Sequence, residues 1–329
     1  MLTDQKDLLK TKILGSIPKN IKPIEYLITM LDISKESAYR RLRGDIPFTF
    51  EEMAKLSLDL DFSLDELIAK PGDSRVLIDM HYFPEDDLSI AFLKRFEQYY
   101  KFLLQLEDYP DVEAIFTLNS IPLVASVYFK DLFKFFYFKL LHKNTEIPVK
   151  FNYSDIVISD ELEELRKKAK FGSSNCLNKI TLILDSNFLV SLINEIQYFN
   201  KRKLINDEEF TNLKNDVLGL IDMFETAAQT GIFGQNTKMD IYLSSTNIEV
   251  NLAYARFNGT ATSFFYGLSI DPIRMTSPVV TERHRKWINS VKKYSTLISQ
   301  SNEILQAEYF DKQRDIINFP SNDNLLLLY

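Results

Sequence analysis

Four cations stand close together near the start of the chain. Lys35, Arg40, Arg41 and Arg43 fall within nine positions that hold one acid, Glu36, together with Ser37 and Tyr39. Guanidinium groups make paired hydrogen bonds to guanine edges and charge-assisted bonds to phosphate oxygens, while Lys, Ser and Tyr contribute single bonds. The chemistry open to this set is recognition rather than bond-making. It is carried by Ser37-Ala38-Tyr39-Arg40-Arg41-Leu42-Arg43-Gly44.

Elsewhere the reactive residues are scattered. A lone cysteine, Cys176, rules out an intrachain disulfide and any zinc cluster built on paired cysteines. His81, His142 and His284 lie far apart, none at metal-ligand spacing. There is no phosphate-binding glycine loop and no nucleophile elbow. Gly231-Ile232-Phe233-Gly234 lacks a following Gly-Lys and reads as a helix end. Cys176, beside Ser173 and Ser174, reads as an inert thiol. His284 would hold its proton weakly if Arg283 and Arg285 lie near it, but nothing in the sequence pairs it with a nucleophile. The expectation is a protein that is not an enzyme and holds neither cofactor nor metal.

The elements that must position the basic segment can be read from caps and stops. Thr3 caps a first helix with Leu8, Leu9, Ile13 and Leu14 on one face, ended by Gly15 and Pro18. Pro23 suits the first turn of a second helix running to Asp32, with Ile24, Leu27, Ile28 and Leu31 as its apolar stripe. After the short connection Asp32-Ile33, Ser34 is the N-cap of a third helix and Gly44 its stop. Thr49 and Glu52 form a capping box for a fourth, with Met53, Leu56, Ser57 and Leu60 inward. Ser63 and Glu66 do the same for a fifth, and Pro71-Gly72 closes the domain at residue 72. Two helices on so short a turn, with three around them, make a helix-turn-helix arrangement. In the third helix Ala38 and Leu42 face the core, and Ala38 is small enough for close helix approach. Lys35, Glu36, Tyr39, Arg40 and Arg43 project outward, with Arg41 near the boundary.

The run from Ile33 to Asp45 resembles the turn and recognition helix of Cro/lambda-repressor-type (XRE) regulators, most closely the BetR-type bacterial ones. Phe50-Glu51-Glu52-Met53-Ala54-Lys55-Leu56 and Phe62-Ser63-Leu64-Asp65-Glu66-Leu67 resemble that family's last two helices. The resemblance covers about a fifth of the chain. It implies a sequence-specific DNA-binding transcriptional regulator, acting as a homodimer on double-stranded DNA with helix 34–43 in the major groove. Lys35, Glu36, Ser37, Tyr39 and Arg40 then meet the bases, Arg41, Arg43 and Lys22 meet phosphate, and Ser34 counts among the DNA-binding residues. Two departures bear on this. Asp32 stands where many members have glycine, and aspartate tolerates the left-handed backbone at some cost. Residues 1–70 hold 11 Lys plus Arg against 12 Asp plus Glu, so any attraction to DNA is local. An exposed arginine-rich helix is also compatible with a protein-interaction module that binds no DNA.

Residues 73–329 resemble no family. Asp73 to Asp87 reads as a linker. Helices are expected at Leu88–Leu106, Ile121–His142, Ser159–Lys170, Phe188–Tyr198 and Asp207–Ala228, the last with an Asn206/Glu209 capping box and a Gly231 stop. The aromatic stripe of Ile121–His142 suits either plain core or a ligand pocket. Alternation then predicts a small antiparallel meander near 237–270, with turns at Ser245-Thr246-Asn247 and Asn258-Gly259. Val149–Tyr153 and Ile180–Leu184 are further strand candidates. A long helix is expected from Pro278 to Ile317, with Val280, His284, Trp287, Val291, Tyr294, Ile298 and Leu305 at 3-4 spacing. That stripe packs on its own domain or forms a dimer seam. The tail Leu325–Tyr329 is apolar enough to dock.

With 329 residues, 45% of them apolar and only nine glycines, two domains and a mainly α (α+β) class follow. The second domain is expected to be mostly helical, serving oligomerisation or the sensing of a small-molecule or protein effector. Met1–Lys6 is polar without a signal core, and charges interrupt the most apolar stretch, so no membrane association and a cytoplasmic location are expected. The net charge of −7 disfavours bulk attraction to nucleic acid.

Overall fold

The computed structural model describes residues 2–17, 21–60, 62, 64, 87–144, 151–268 and 271–318. The chain divides into two compact units, Met1–Leu77 and Ile78–Tyr329. None of the described helices is long and apolar enough to cross a membrane.

In the first unit α1 (Leu2–Ser16), α2 (Pro23–Leu31), α3 (Lys35–Arg43) and α4 (Phe50–Asp59) surround a core of Leu9, Ile13, Ile17, Leu27, Leu31, Ala38, Leu56 and Phe62. Thr3 falls within α1, and Leu14 faces outward because one helical face is already filled by Leu9 and Ile13. The tyrosine hydroxyl of Tyr26 on α2 donates to the Asp59 carboxylate at the end of α4. The expected fifth helix apart from Leu64, the linker up to residue 86, Gly72 and the apolar tail lie outside the described residues.

The second unit is rich in helices with strands among them, as the α+β class expects, but its sheet is far larger than the small antiparallel meander. Among the described residues it is built on a mixed sheet of eight strands: β1 (Glu113–Leu118), β2 (Lys179–Leu184), β3 (Ile232–Phe233), β4 (Thr237–Ser244), β5 (Leu252–Phe257), β6 (Thr260–Leu268), β7 (Asp271–Met275) and β8 (Ser295–Leu297). The order is β3-β4-β2-β1-β5-β6-β7, with β8 on β4; β1, β2 and β4 are mutually parallel and the other pairings antiparallel. The helices are α5 (Leu88–Glu107), α6 (Lys130–Lys143), α7 (Asp160–Asn175), α8 (Val190–Lys201), α9 (Asp207–Thr230), α10 (Pro278–Lys293) and α11 (Glu303–Asn318).

Only β5, β6 and β7 form the expected meander. Asn258 and Gly259 turn it with φ of 49° and 72°, the left-handed pair that a two-residue hairpin requires. The turn expected at Ser245-Thr246-Asn247 is instead a crossover, because β2 and β1 lie between β4 and β5. Side chains at the ends of those strands steer it. Asp185 accepts from Asn187 N (2.9 Å) and Ile248 N (3.1 Å), Asn119 Nδ2 donates to Ile248 O (2.9 Å), and Asn251 Oδ1 accepts from Asn119 N (2.8 Å). Phe151 and Asn152 are not in a strand, and Tyr153–Asp155 is a single 3-10 turn.

The helix expected over Ile121–His142 is split. Leu123–Tyr128 is a 3-10 turn, Phe129 is extended, and α6 begins at Lys130, where Leu132 N donates to Asp216 Oδ2 of α9 (2.9 Å). The aromatic stripe is core on two sides. Leu132, Phe135 and Phe138 join the cluster on one sheet face, with α8, α9 and α11; Phe133, Tyr137 and Leu140 join a second cluster with α5 and α7. A helix apolar all round is a buried helix, and this one lies between two cores.

The long C-terminal helix is likewise broken. After α10 the chain pairs along the edge of β4 as β8, and Gln300 at φ 47° precedes α11. The residues of that stripe divide between two cores. Trp287 and Val291 pack with Ile288 on Ile183, Leu252 and Tyr254 of one sheet face, while Ile298 and Leu305 join the cluster on the opposite face. The 3-4 spacing thus serves intrachain packing.

Candidate nucleic-acid interface

The α2–α3 corner is set by backbone conformation. Asp32 takes φ 53°, ψ 50°, the left-handed geometry that ends α2 and turns the chain. Ser34, extended, accepts from Ser37 N (3.2 Å) and starts α3. Gly44 at φ 85° ends it: Gly44 N donates to Arg41 O (3.0 Å) and Asp45 N to Arg40 O (2.9 Å), the paired closure that needs a left-handed residue. Ala38 is fully buried against α2 and Leu42 half-buried, so the opposite face of α3 is fixed outward.

On that face Lys35, Glu36, Tyr39, Arg40 and Arg43 are exposed; Tyr39, at 47% of its surface, is a large aromatic left open to water. Arg43 Nη2 pairs with Asp45 (3.0 Å) while its side chain stays 66% exposed, and Lys22 pairs with Glu25 at 3.5 Å, 82% exposed. Exposed pairs of this kind contribute little and exchange readily for another anion.

Arg41 corrects the expectation of a phosphate contact. Its side chain is 11% exposed and bonds Glu52 through both Nε (2.9 Å) and Nη2 (2.6 Å), with Nη1 on Ser37 Oγ (2.5 Å). Arg41 therefore fastens α3 to α4. Ser37, expected at a base, has its hydroxyl engaged on that guanidinium, and Ser34 has its own engaged in capping. Glu52 also accepts from Thr49 N (2.9 Å), so one carboxylate caps α4 and holds Arg41. Burial alone would raise this carboxyl, yet the bonds from Arg41 and from the Thr49 amide, with the nearby positive charge, hold it below its ordinary value. The capping-box spacing gave away Glu52; its second bond, across eleven residues to another helix, left no sequence signal.

Of the reactive groups singled out in the sequence, His81 lies outside the described residues. Cys176 is 5% exposed, and burial pushes its thiol up to about 12, which keeps it protonated. His284 has its Nδ1 2.6 Å from Ser263 Oγ, a pairing the sequence hid, and Ser263 is fully buried. Burial, not the flanking arginines, lowers the proton affinity of His284. Among the described residues no group of His, Cys, Asp and Glu is placed to hold a metal ion. Compared with family models, curated proteins and solved structures, the chain matches none.

Proposed function

We propose that this chain is a cytoplasmic, sequence-specific DNA-binding transcriptional regulator of the Cro/lambda-repressor-like type, with α3 reading the major groove. The observation that carries the reading is the outward row of Lys35, Glu36, Tyr39, Arg40 and Arg43 on a short helix whose inner face is locked to α2 by Ala38 and to α4 by Arg41. A recognition helix needs that separation, because base edges discriminate only when donors are held in register. Lys35, Glu36, Tyr39 and Arg40 read bases. Arg43 and Lys22 release their weak carboxylate partners to phosphate. Acting as a homodimer, the protein binds two half-sites about one helical turn apart, and the second unit serves oligomerisation or senses an effector.

Selection of bound duplexes from a random pool by the full-length protein tests this, and a two-fold symmetric site is the expected product. Arg40→Ala is expected to weaken binding to the selected site by about 1–3 kcal/mol and to relax the preference at one base pair. Competition binding on a panel of single-base variants measures both effects, and an unchanged preference would remove Arg40 from base reading. The second reading is a protein-interaction module. It rests on Phe50 and Leu58 of α4, which are 73% and 84% exposed. Absence of duplex binding even at low salt selects that reading.

A further inference from the structure

The first unit is poorly supplied for holding a polyanion. Arg41 is taken up by Glu52, Arg43 is shared with Asp45, and residues 1–70 carry more acids than bases. A basic run with no acid inside it lies elsewhere. From Arg283 to Lys293 the chain places five Lys and Arg and no Asp or Glu, in a protein of net charge −7. These residues belong to α10, whose Ile288, Trp287 and Val291 are pressed on the sheet, so the opposite side of the helix is fixed toward solvent.

The five cations are not equivalent. Arg285 is tied to Glu282 by Nε (2.9 Å) and Nη2, and Lys292 lies over the Tyr242 ring at 4.4 Å. Arg283, Lys286 and Lys293 are exposed and, among the described residues, have no ion-pair partner within 4.0 Å; Glu282 is the carboxylate whose charge Lys286 feels. They sit three and seven residues apart, with Ser290 between, on one face of the helix. At about 1.5 Å rise per residue the row spans roughly 15 Å. Such a row suits a line of regularly spaced phosphates better than a single carboxylate.

We propose that Arg283, Lys286 and Lys293 form a second, sequence-independent contact to the phosphate backbone of duplex DNA. It rests on the reading of the chain as a DNA-binding protein and supplies the attraction that the recognition unit lacks. Each cation placed on a phosphate releases condensed counterion, and the binding constant then falls with salt by about 0.9 per contact on logarithmic axes.

The test compares full-length wild type with Arg283→Gln/Lys286→Gln/Lys293→Gln on a duplex carrying the selected site within random flanks, from low to high salt. Because all three side chains are exposed, the unfolding midpoint is expected to stay in place, which a melt checks. Expected is a salt slope shallower by about 2.7, so that a fourfold rise in salt costs the wild type roughly 40-fold more affinity than the variant. Base preference should be unchanged in the variant, whereas Arg40→Ala alters it. A variant with the wild-type slope overturns the second contact while leaving the DNA-binding reading intact. A wild type with no duplex affinity at any salt overturns both. If the variant binds DNA as wild type does but self-associates more weakly in sedimentation, the row is an interface between copies and the proposal is wrong.

Discussion

Glu52→Ala is expected to destabilise the first unit by about 1.5–3 kcal/mol, the usual contribution of hydrogen bonds to a charged group in a half-buried pair. Two losses combine. The Arg41 guanidinium, 11% exposed, is left without its carboxylate, and the Thr49 amide at the start of α4 loses its acceptor. The two units can be watched separately, because the single tryptophan, Trp287, lies in the second. Far-ultraviolet circular dichroism should show an early loss of helix while the Trp287 fluorescence transition stays in place. A shift below about 1 kcal/mol would mean that Arg41 finds another partner and that α3 does not depend on Glu52. The same carboxyl sets a pH dependence. Its acidity is strengthened in the folded state, so its contribution is complete above the ordinary value of 4.5 and is lost as pH falls through the lower folded value. Acid unfolding of the first unit should therefore begin below pH about 4.5 in the wild type and lose that component in Glu52→Gln.

Phe138→Ala is expected to cost about 3–5 kcal/mol in the second unit, read from the urea midpoint of Trp287 fluorescence. The ring is fully buried and meets Phe199 at 4.9 Å, Tyr153 at 5.6 Å, His142 at 5.8 Å and Phe151 at 6.0 Å between centroids. These neighbours come from α6, α8 and the segment before α7, so no single element can close the gap. Edge-to-face pairs add about 0.5–1.5 kcal/mol each beyond burial. A loss below about 1.5 kcal/mol would show that this cluster collapses around the vacancy instead of keeping a cavity.

Local chemistry was legible in the sequence, and long-range pairing was not. Ser34, Gly44, the Thr49/Glu52 box, the Asn206/Glu209 box and Asn258-Gly259 act through neighbours within a few residues, and each occupies the expected position. The sheet depends on partners far along the chain. β1 carries Ala114, Ile115, Phe116 and Leu118 in a short run after a proline and gave no clear alternation; it becomes a central strand only through β2 and β5. The spacing of Val280 through Leu305 was real, but periodicity cannot distinguish one long helix from two helices flanking an edge strand. At the candidate interface the outward row was legible from the helical repeat. That Arg41 turns inward was not, since its acceptor belongs to another helix.

The placement of β1 sets an order of events during synthesis. Glu113 pairs with Arg256 across 143 residues, while the first unit closes through contacts among neighbouring helices. At roughly 5–20 residues per second, a ribosome needs on the order of ten seconds to make the stretch between them. The first unit can fold in that interval, whereas β1 waits with one flank unpaired. Agents that bind exposed strand edges should therefore find this chain while it is still attached to the ribosome, and truncation before residue 252 should leave a well-formed first unit tethered to a sticky, incomplete sheet.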